Sequence, residues 1–123
     1  MTMNAILLVA LGGALGAVGR FAAGAWLKSA AFPWATLGVN LLGALLMGLL
    51  IGWMSRQPAP NEGLRLFLAV GLLGGFTTFS AFSMDLFSLL EKRDMLALAG
   101  YLGGSVLGGL ALFVAGYFVM RTS

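Results

Sequence analysis

Gly71-Leu72-Leu73-Gly74-Gly75-Phe76-Thr77-Thr78-Phe79-Ser80-Ala81-Phe82 lies in the middle of the third of four apolar stretches. A plain membrane anchor would carry Leu, Val and Ala there. This segment instead has a glycine pair followed by hydroxyl and phenyl side chains. Glycine is among the weakest helix formers, and Thr and Ser can bond their own backbone in place of continuing the ladder. An interrupted helix at membrane depth exposes amides and carbonyls that hydrocarbon does not tolerate, so they must face protein, water or an ion. Discontinuous helices of this kind carry ion sites in transporters and channels. The pattern predicts a third helix broken at its centre, with the functional centre at the break.

The remainder of the chain reads as membrane. Its 123 residues are 60% apolar and 9% charged, the composition of an all-α integral membrane protein forming a single domain over 1–123. With no cysteine there is no disulfide framework and no thiolate metal site. With no histidine the usual general base and transition-metal ligand are missing too. The net charge of +3 is spread along the chain, without the basic cluster that a nucleic-acid partner requires. The first apolar run lacks a basic leader and continues past Ala17 to about Trp26, which predicts a retained helix, not a signal peptide.

Four spans are expected at about 4–26, 33–53, 63–90 and 95–120, each long enough to cross roughly 30 Å of hydrocarbon. Trp26, Trp34 and Trp53 sit where an aromatic belt belongs. Four spans place the termini and the 55–62 loop on one side, with Arg56, Arg65 and Arg121. Lys28, Lys92 and Arg93 fall on the other. An even tally leaves the positive-inside rule nothing to choose between. Either another signal sets orientation or the chain inserts both ways, and the second option leads to an antiparallel, dual-topology homodimer with its two-fold axis in the membrane plane. Gly12 and Gly16, Gly48 and Gly52, Gly71 and Gly75, and Gly100, Gly104 and Gly108 recur every fourth residue. That spacing suits close helix packing in lipid; only Gly74 and Gly75, beside the polar run, suggest more.

Few side chains carry chemistry. Phe79 and Phe82 are three apart and share a helical face. They either pack the core or face lipid, or they turn the positive edges of their rings toward a small anion. Asn40 lies inside the second span, where its amide needs partners; an interhelical hydrogen bond is the plain alternative to a pore role. Tyr101 and Ser105, with Ser80 and Ser83, have hydroxyls spaced to form a donor track. Arg20 is the basic residue well within a span, a costly placement that is usually functional, although it is near enough to the helix end to snorkel. Asp85 has no second carboxylate nearby with which to form an acid–base pair.

Three stretches resemble the Fluc fluoride channels, also called CrcB: Gly12-Gly13-Ala14-Leu15-Gly16-Ala17-Val18-Gly19-Arg20, Thr36-Leu37-Gly38-Val39-Asn40-Leu41-Leu42-Gly43 and Gly74-Gly75-Phe76-Thr77-Thr78-Phe79-Ser80-Ala81-Phe82. The likeness spans all four segments. It implies a dual-topology homodimer in the cell (plasma or inner) membrane with two antiparallel pores that export fluoride by passive electrodiffusion, and no enzymatic activity. Its expected partners are the fluoride ion, the lipid bilayer and a second copy of the chain. The resemblance further implies a structural sodium ion at the dimer centre, held by the backbone carbonyls of Gly74 and Thr77. Phe79 and Phe82 would be the pore phenylalanines and Asn40 the pore amide. Thr78, Ser80, Tyr101 and Ser105 would fall near a polar track, with Arg20 and Asp85 at the vestibules. The sequence departs from the family at Ala81, where Thr or Ser is usual, at Asp85, where Glu is usual, and at Ala35, where Gly is usual.

Two other readings compete. A small multidrug-type dual-topology cation exporter needs a carboxylate in its first span, where this chain has only Arg20. A non-transporting assembly subunit of glycine-rich helices leaves the polar interruption unexplained.

Overall fold

The computed structural model describes residues 1–28 and 31–123. The first helix, α1 (Met3–Trp26), begins at Thr2, whose hydroxyl accepts from the Ala5 N–H. The second, α2 (Trp34–Met54), follows Pro33, a residue suited to a helix start because it has no N–H to leave unpaired. After the 55–61 loop, α3 (62–76) starts on Asn61, whose side chain accepts from Leu64 N. Helix α4 (Phe79–Glu91) and helix α5 (Met95–Thr122) complete the chain. The joint between them is three residues long. Arg93 turns there with φ 57° in the left-handed region, and Asp94 caps α5 by accepting from Ala97 N.

Four segments, Met3–Trp26, Trp34–Met54, Glu62–Glu91 and Met95–Thr122, are long and apolar enough to cross a membrane, making this a multi-pass membrane protein. Their bounds fall within two residues of the expected spans. Few apolar side chains are buried, and the well-covered ones are Val39, Ala69, Leu73, Phe82, Leu89 and Tyr101. Phe21, Leu96 and Leu107 are left more than two-thirds exposed, at 76%, 87% and 71%. Lipid tails solvate such side chains as well as a protein core would, so the fold does not depend on burying them.

Close backbone approach takes the place of a large core. Helix α1 packs on α3, and α2 packs on the C-terminal part of α5. A methyl added at Gly12 would meet Phe67 O at 2.3 Å, and one at Gly16 would meet Leu72 O at 2.1 Å. On the other pair, a methyl at Gly48 would strike Phe113 O at 2.1 Å and one at Gly52 would strike Tyr117 O at 2.3 Å. The fourth-residue spacing therefore marks two glycine-lined seams. Gly100 and Gly104 differ, since a Cβ at either meets nothing within 4 Å.

Two stretches wind as π-helix, Arg65–Leu73 in α3 and Gly104–Gly108 in α5. Such turns are rare and cluster at functional sites. Thr77 and Thr78 have extended dihedrals (φ −86°, ψ 155° and φ −150°, ψ 124°), and Thr78 gives up its helical hydrogen bond. Gly74 remains helical at φ −63°, ψ −39°. The interruption falls on the two threonines and not on the glycine pair, because Asn40 and the Thr78 hydroxyl supply the substitute bonds described below.

Gly16→Ala should destabilise the protein by about 2–3 kcal/mol, the overpacking cost of forcing a methyl into a rigid carbonyl. Gly24→Ala, where a Cβ meets nothing within 4 Å, should be tolerated. Equilibrium unfolding in mixed micelles compares the two, and equal stability would dissolve the seam.

Candidate functional site

Asn40, on the second turn of α2, faces the interruption. Its Nδ2 donates to Thr78 O at 3.0 Å and its Oδ1 accepts from Thr78 N at 2.9 Å. One amide side chain thus replaces both backbone bonds that Thr78 loses by leaving the helix. One turn further along α2, Gly43 makes room for Thr77, since a methyl there would stand 2.1 Å from Thr77 Cγ2. The Thr77 hydroxyl donates to Leu73 O at 2.9 Å, and the Thr77 amide reaches the same carbonyl at 3.0 Å. Thr78 in turn caps α4, its Oγ1 accepting from Ala81 N at 3.1 Å.

These exchanges redistribute the carbonyls of α3. The Thr78 N–H would bond Gly74 O in a continuous helix, but it is given to Asn40. The Ala81 N–H would reach back to Thr77 O, but it is given to Thr78 Oγ1. Gly74 O and Thr77 O therefore lose their helical donors, while Gly75 O takes the Arg20 Nε at 3.3 Å. Arg20 is half-buried against a helix C-terminus, where the macrodipole favours a cation. The negative end of α3 and the positive end of α4 meet at this one place.

The interruption opens on a groove of about 540 Å³, with Asn40, Gly74, Thr77, Thr78, Phe79, Phe82 and Ser105 on its walls. Seven of the residues singled out from the sequence thus share one concavity. Ser105 Oγ is buried and has no hydrogen-bond partner among the described residues. Phe79 and Phe82 lie with ring centroids 5.9 Å apart, but their surroundings differ. Phe82 is buried (6% exposed), whereas Phe79 is 78% exposed on the single chain.

The remaining candidates lie outside the groove lining. Ser80 is exposed and shares a hydrogen bond with Thr78 at 3.2 Å. Tyr101 is fully buried behind Phe82, with ring centroids 5.1 Å apart. Its hydroxyl donates to Asp85 Oδ2 at 3.0 Å. Tyr101 and Ser105, aligned by spacing, thus serve different places, and Asp85 has a phenol partner that the sequence did not suggest. Asp85 lines a second cavity of about 250 Å³, with Phe32, Thr36, Ser88, Lys28 and Lys92. Sequence reasoning missed the π turns, since a shift from fourth- to fifth-residue bonding leaves no compositional mark. It also missed Phe32, whose ring meets Tyr101 edge-on at 5.6 Å and 83°.

No group of three or more His, Cys, Asp or Glu that could hold a metal occurs among the described residues. Gly74 O and Thr77 O, short of donors, are instead hard oxygens of the kind a sodium ion takes.

A family model described as "CrcB-like protein, Camphor Resistance (CrcB)" matches residues 7–117. The chain is 47% identical over 125 residues to a protein of Novosphingobium aromaticivorans named "Fluoride-specific ion channel FluC", covering 97% of this chain and 98% of that protein. Proteins of the same name from Rhizobium johnstonii and Chloroflexus aurantiacus are 45% and 46% identical over 118 and 117 residues, with 94% and 93% of both chains covered.

Asn40→Ala should strand the Thr78 N–H and C=O together and lower unfolding stability by about 2–6 kcal/mol, from roughly 1–3 per unsatisfied group. Mixed-micelle unfolding measures this. An unchanged value would mean that the interruption is satisfied by other groups.

Proposed function

The chain belongs to the CrcB family, and we propose that it is a fluoride-selective channel, not an enzyme, which exports cytoplasmic fluoride by passive electrodiffusion as an antiparallel homodimer of the cell membrane. One observation carries the reading. Asn40, Thr78, Phe79, Phe82 and Ser105 converge on one groove beside a non-helical backbone at membrane depth.

A bare anion in low dielectric costs on the order of tens of kcal/mol by Born arguments. Conduction therefore requires the pore to replace water as the ion loses it. Asn40 spends one amide proton on Thr78 and keeps a second to donate. Ser105 offers a hydroxyl with no other partner among the described residues. The positive edges of Phe79 and Phe82 supply further stabilisation without a formal charge, and the N-terminus of α4 favours an anion. Past Phe82, the Tyr101–Asp85 pair and the hydroxyls of Thr36 and Ser88 lead to the second cavity. Thr78 borders the groove and shares a hydrogen bond with Ser80, and Arg20 donates to the adjoining Gly75 carbonyl.

A sodium ion at the dimer centre would be held by Gly74 O and Thr77 O from each of two copies, and when bound it supplies fixed positive charge between the two helix ends. The exposure of Gly74 and Phe79 on a single chain favours a second copy covering them, and the even charge tally favours opposite insertion. Export then needs no pump. HF crosses the membrane as a neutral acid and dissociates in the less acidic cytoplasm, and an inside-negative potential drives the anion out with about 2.3 kcal/mol per 100 mV.

Liposomes loaded with fluoride and clamped with a potassium ionophore should release it through the wild-type protein while retaining chloride. Phe82→Ile should slow release about tenfold, the effect of losing roughly 1.4 kcal/mol of ring-edge stabilisation. Proton-coupled cation release without fluoride efflux would favour the multidrug-type reading, and no flux of either ion would favour the assembly subunit. Prolonged dialysis against a sodium-free choline buffer should abolish release and separate the dimer. Persistence of both would remove the ion from the account.

A further inference from the structure

Gly74 O and Thr77 O are both short of donors, but different things hold them in place. Gly74 keeps helical dihedrals, so the preceding turns of α3 aim its carbonyl. Thr77 has left the helix at φ −86°, ψ 155°, and no helical ladder aims its carbonyl. Helix α2 takes over that task at two points. Asn40 Oδ1 accepts from Thr78 N at 2.9 Å. That N–H and the Thr77 C=O belong to one planar peptide, so holding the first directs the second away from Asn40 Oδ1. The Thr77 side chain supplies the other point. Its hydroxyl donates to Leu73 O at 2.9 Å, which selects one rotamer of a stiff β-branched side chain. In that rotamer Cγ2 is seated against Gly43, which is buried and where an added methyl would overlap it. Asn40 and Gly43 are three apart and share a face of α2.

We propose that Gly43 and the Thr77 side chain are positioning groups for the Thr77 carbonyl, and that their contact sets how tightly the dimer centre holds sodium and how well it rejects potassium. The glycine and the threonine methyl act only through the carbonyl. A cation site built of carbonyls depends on where its oxygens stand, and groups that orient a metal ligand typically carry about ten- to a hundredfold of affinity. A methyl at Gly43 leaves Thr77 two ways out. It turns about χ1 and loses its bond to Leu73 O, or its backbone shifts and takes the carbonyl along. Both loosen or displace the oxygen. The assignment deepens the proposed function and rests on it for the identity of the ion.

Thermal unfolding in mixed micelles tests this at one protein concentration, with NaCl or KCl replacing N-methylglucamine chloride at constant ionic strength. A cation that binds only the folded dimer raises the unfolding midpoint by mass action, and the rise yields its apparent Kd. Sodium should stabilise wild type at lower concentration than potassium does. Gly43→Ala should raise the sodium Kd about tenfold and change the potassium Kd less, so that the preference narrows. Thr77→Ser keeps the hydroxyl and removes Cγ2, so Gly43→Ala/Thr77→Ser should return to within about twofold of wild type. Thr77→Val keeps a methyl toward Gly43 and gives up the hydroxyl bond, while Leu73 O retains the Thr77 amide at 3.0 Å. It strands no buried group, and it too should weaken sodium binding, which decides the matter if Gly43→Ala does not fold. A merely structural contact would lower the midpoint equally in all three salts and leave each Kd alone. Unchanged sodium Kd values in the variants overturn the proposal, as does a double variant that is not rescued. Sodium that fails to stabilise wild type overturns both the proposal and the sodium part of the proposed function. If sodium stabilises wild type and the variants respond as expected while no fluoride passes, the channel reading fails and the positioning role stands.

Discussion

Thr78 is held from both sides by a single amide. Asn40 donates to its carbonyl at 3.0 Å and accepts from its N–H at 2.9 Å. The surrounding structure follows from that clasp, because backbone out of helix register in hydrocarbon persists only where each polar group finds a partner. The clasp removes the donor from Gly74 O. Thr78, freed from the helix, becomes the cap of α4 and takes the donor from Thr77 O. Gly43 then has to lack a side chain so that the Thr77 methyl can lie against α2. Arg20 donates to the next carbonyl, Gly75 O, and so places a cation at the negative end of α3.

The glycine seams serve the same end. A single membrane helix gains nothing from turning apolar side chains inward, so helices are held by backbone contact. Gly12 and Gly16 bring α1 against 67–72, immediately before the interruption, and Gly75 lies against Gly13, with a would-be Cβ 2.7 Å from Gly13 O. This close contact fixes the end of α3 laterally, while α2 fixes it through Asn40 and Gly43. Two helices, α1 and α2, thus position one interrupted turn. The rest of the chain is left to the lipid, as the 87% exposure of Leu96 illustrates.

The spans were legible because hydrocarbon thickness sets their length and the charged loops set their ends. The family was legible because the Gly-Gly-Phe-Thr-Thr-Phe-Ser run is rare in an apolar segment. What the sequence left open was the division of labour inside the site. Spacing aligned Tyr101 with Ser105, yet the phenol turns to Asp85 while the serine hydroxyl stays in the groove. Helical periodicity assumes uniform winding, and Gly104–Gly108 is π-helical, so the phase inferred from Tyr101 does not carry through Ser105. Asn40 was open between an interhelical bond and a pore role. The geometry accommodates both, since the amide has two protons and Thr78 takes one. Asp85 appeared isolated because its partner lies sixteen residues away on the next helix.

In the proposed channel, the two phenylalanines would make a clasped interruption suit a small anion. Phe82 is fixed between Tyr101 and the packed residues around Leu89, so its edge points in a direction set by the core. The remaining Asn40 proton is equally fixed, because the other is committed to a backbone carbonyl. Ser105, with no partner among the described residues, can rotate its hydroxyl to follow an ion. A small, hard anion gains most from donors that close tightly around it and pays most for losing water. A rigid pair of contacts with one rotating donor can meet that need over a short distance. A larger halide would have to push apart groups that also hold the backbone together. In the proposed channel, then, the bonds that make the interruption tolerable in the membrane are also the ones that resist widening, and discrimination among anions follows from the same clasp that stabilises the fold.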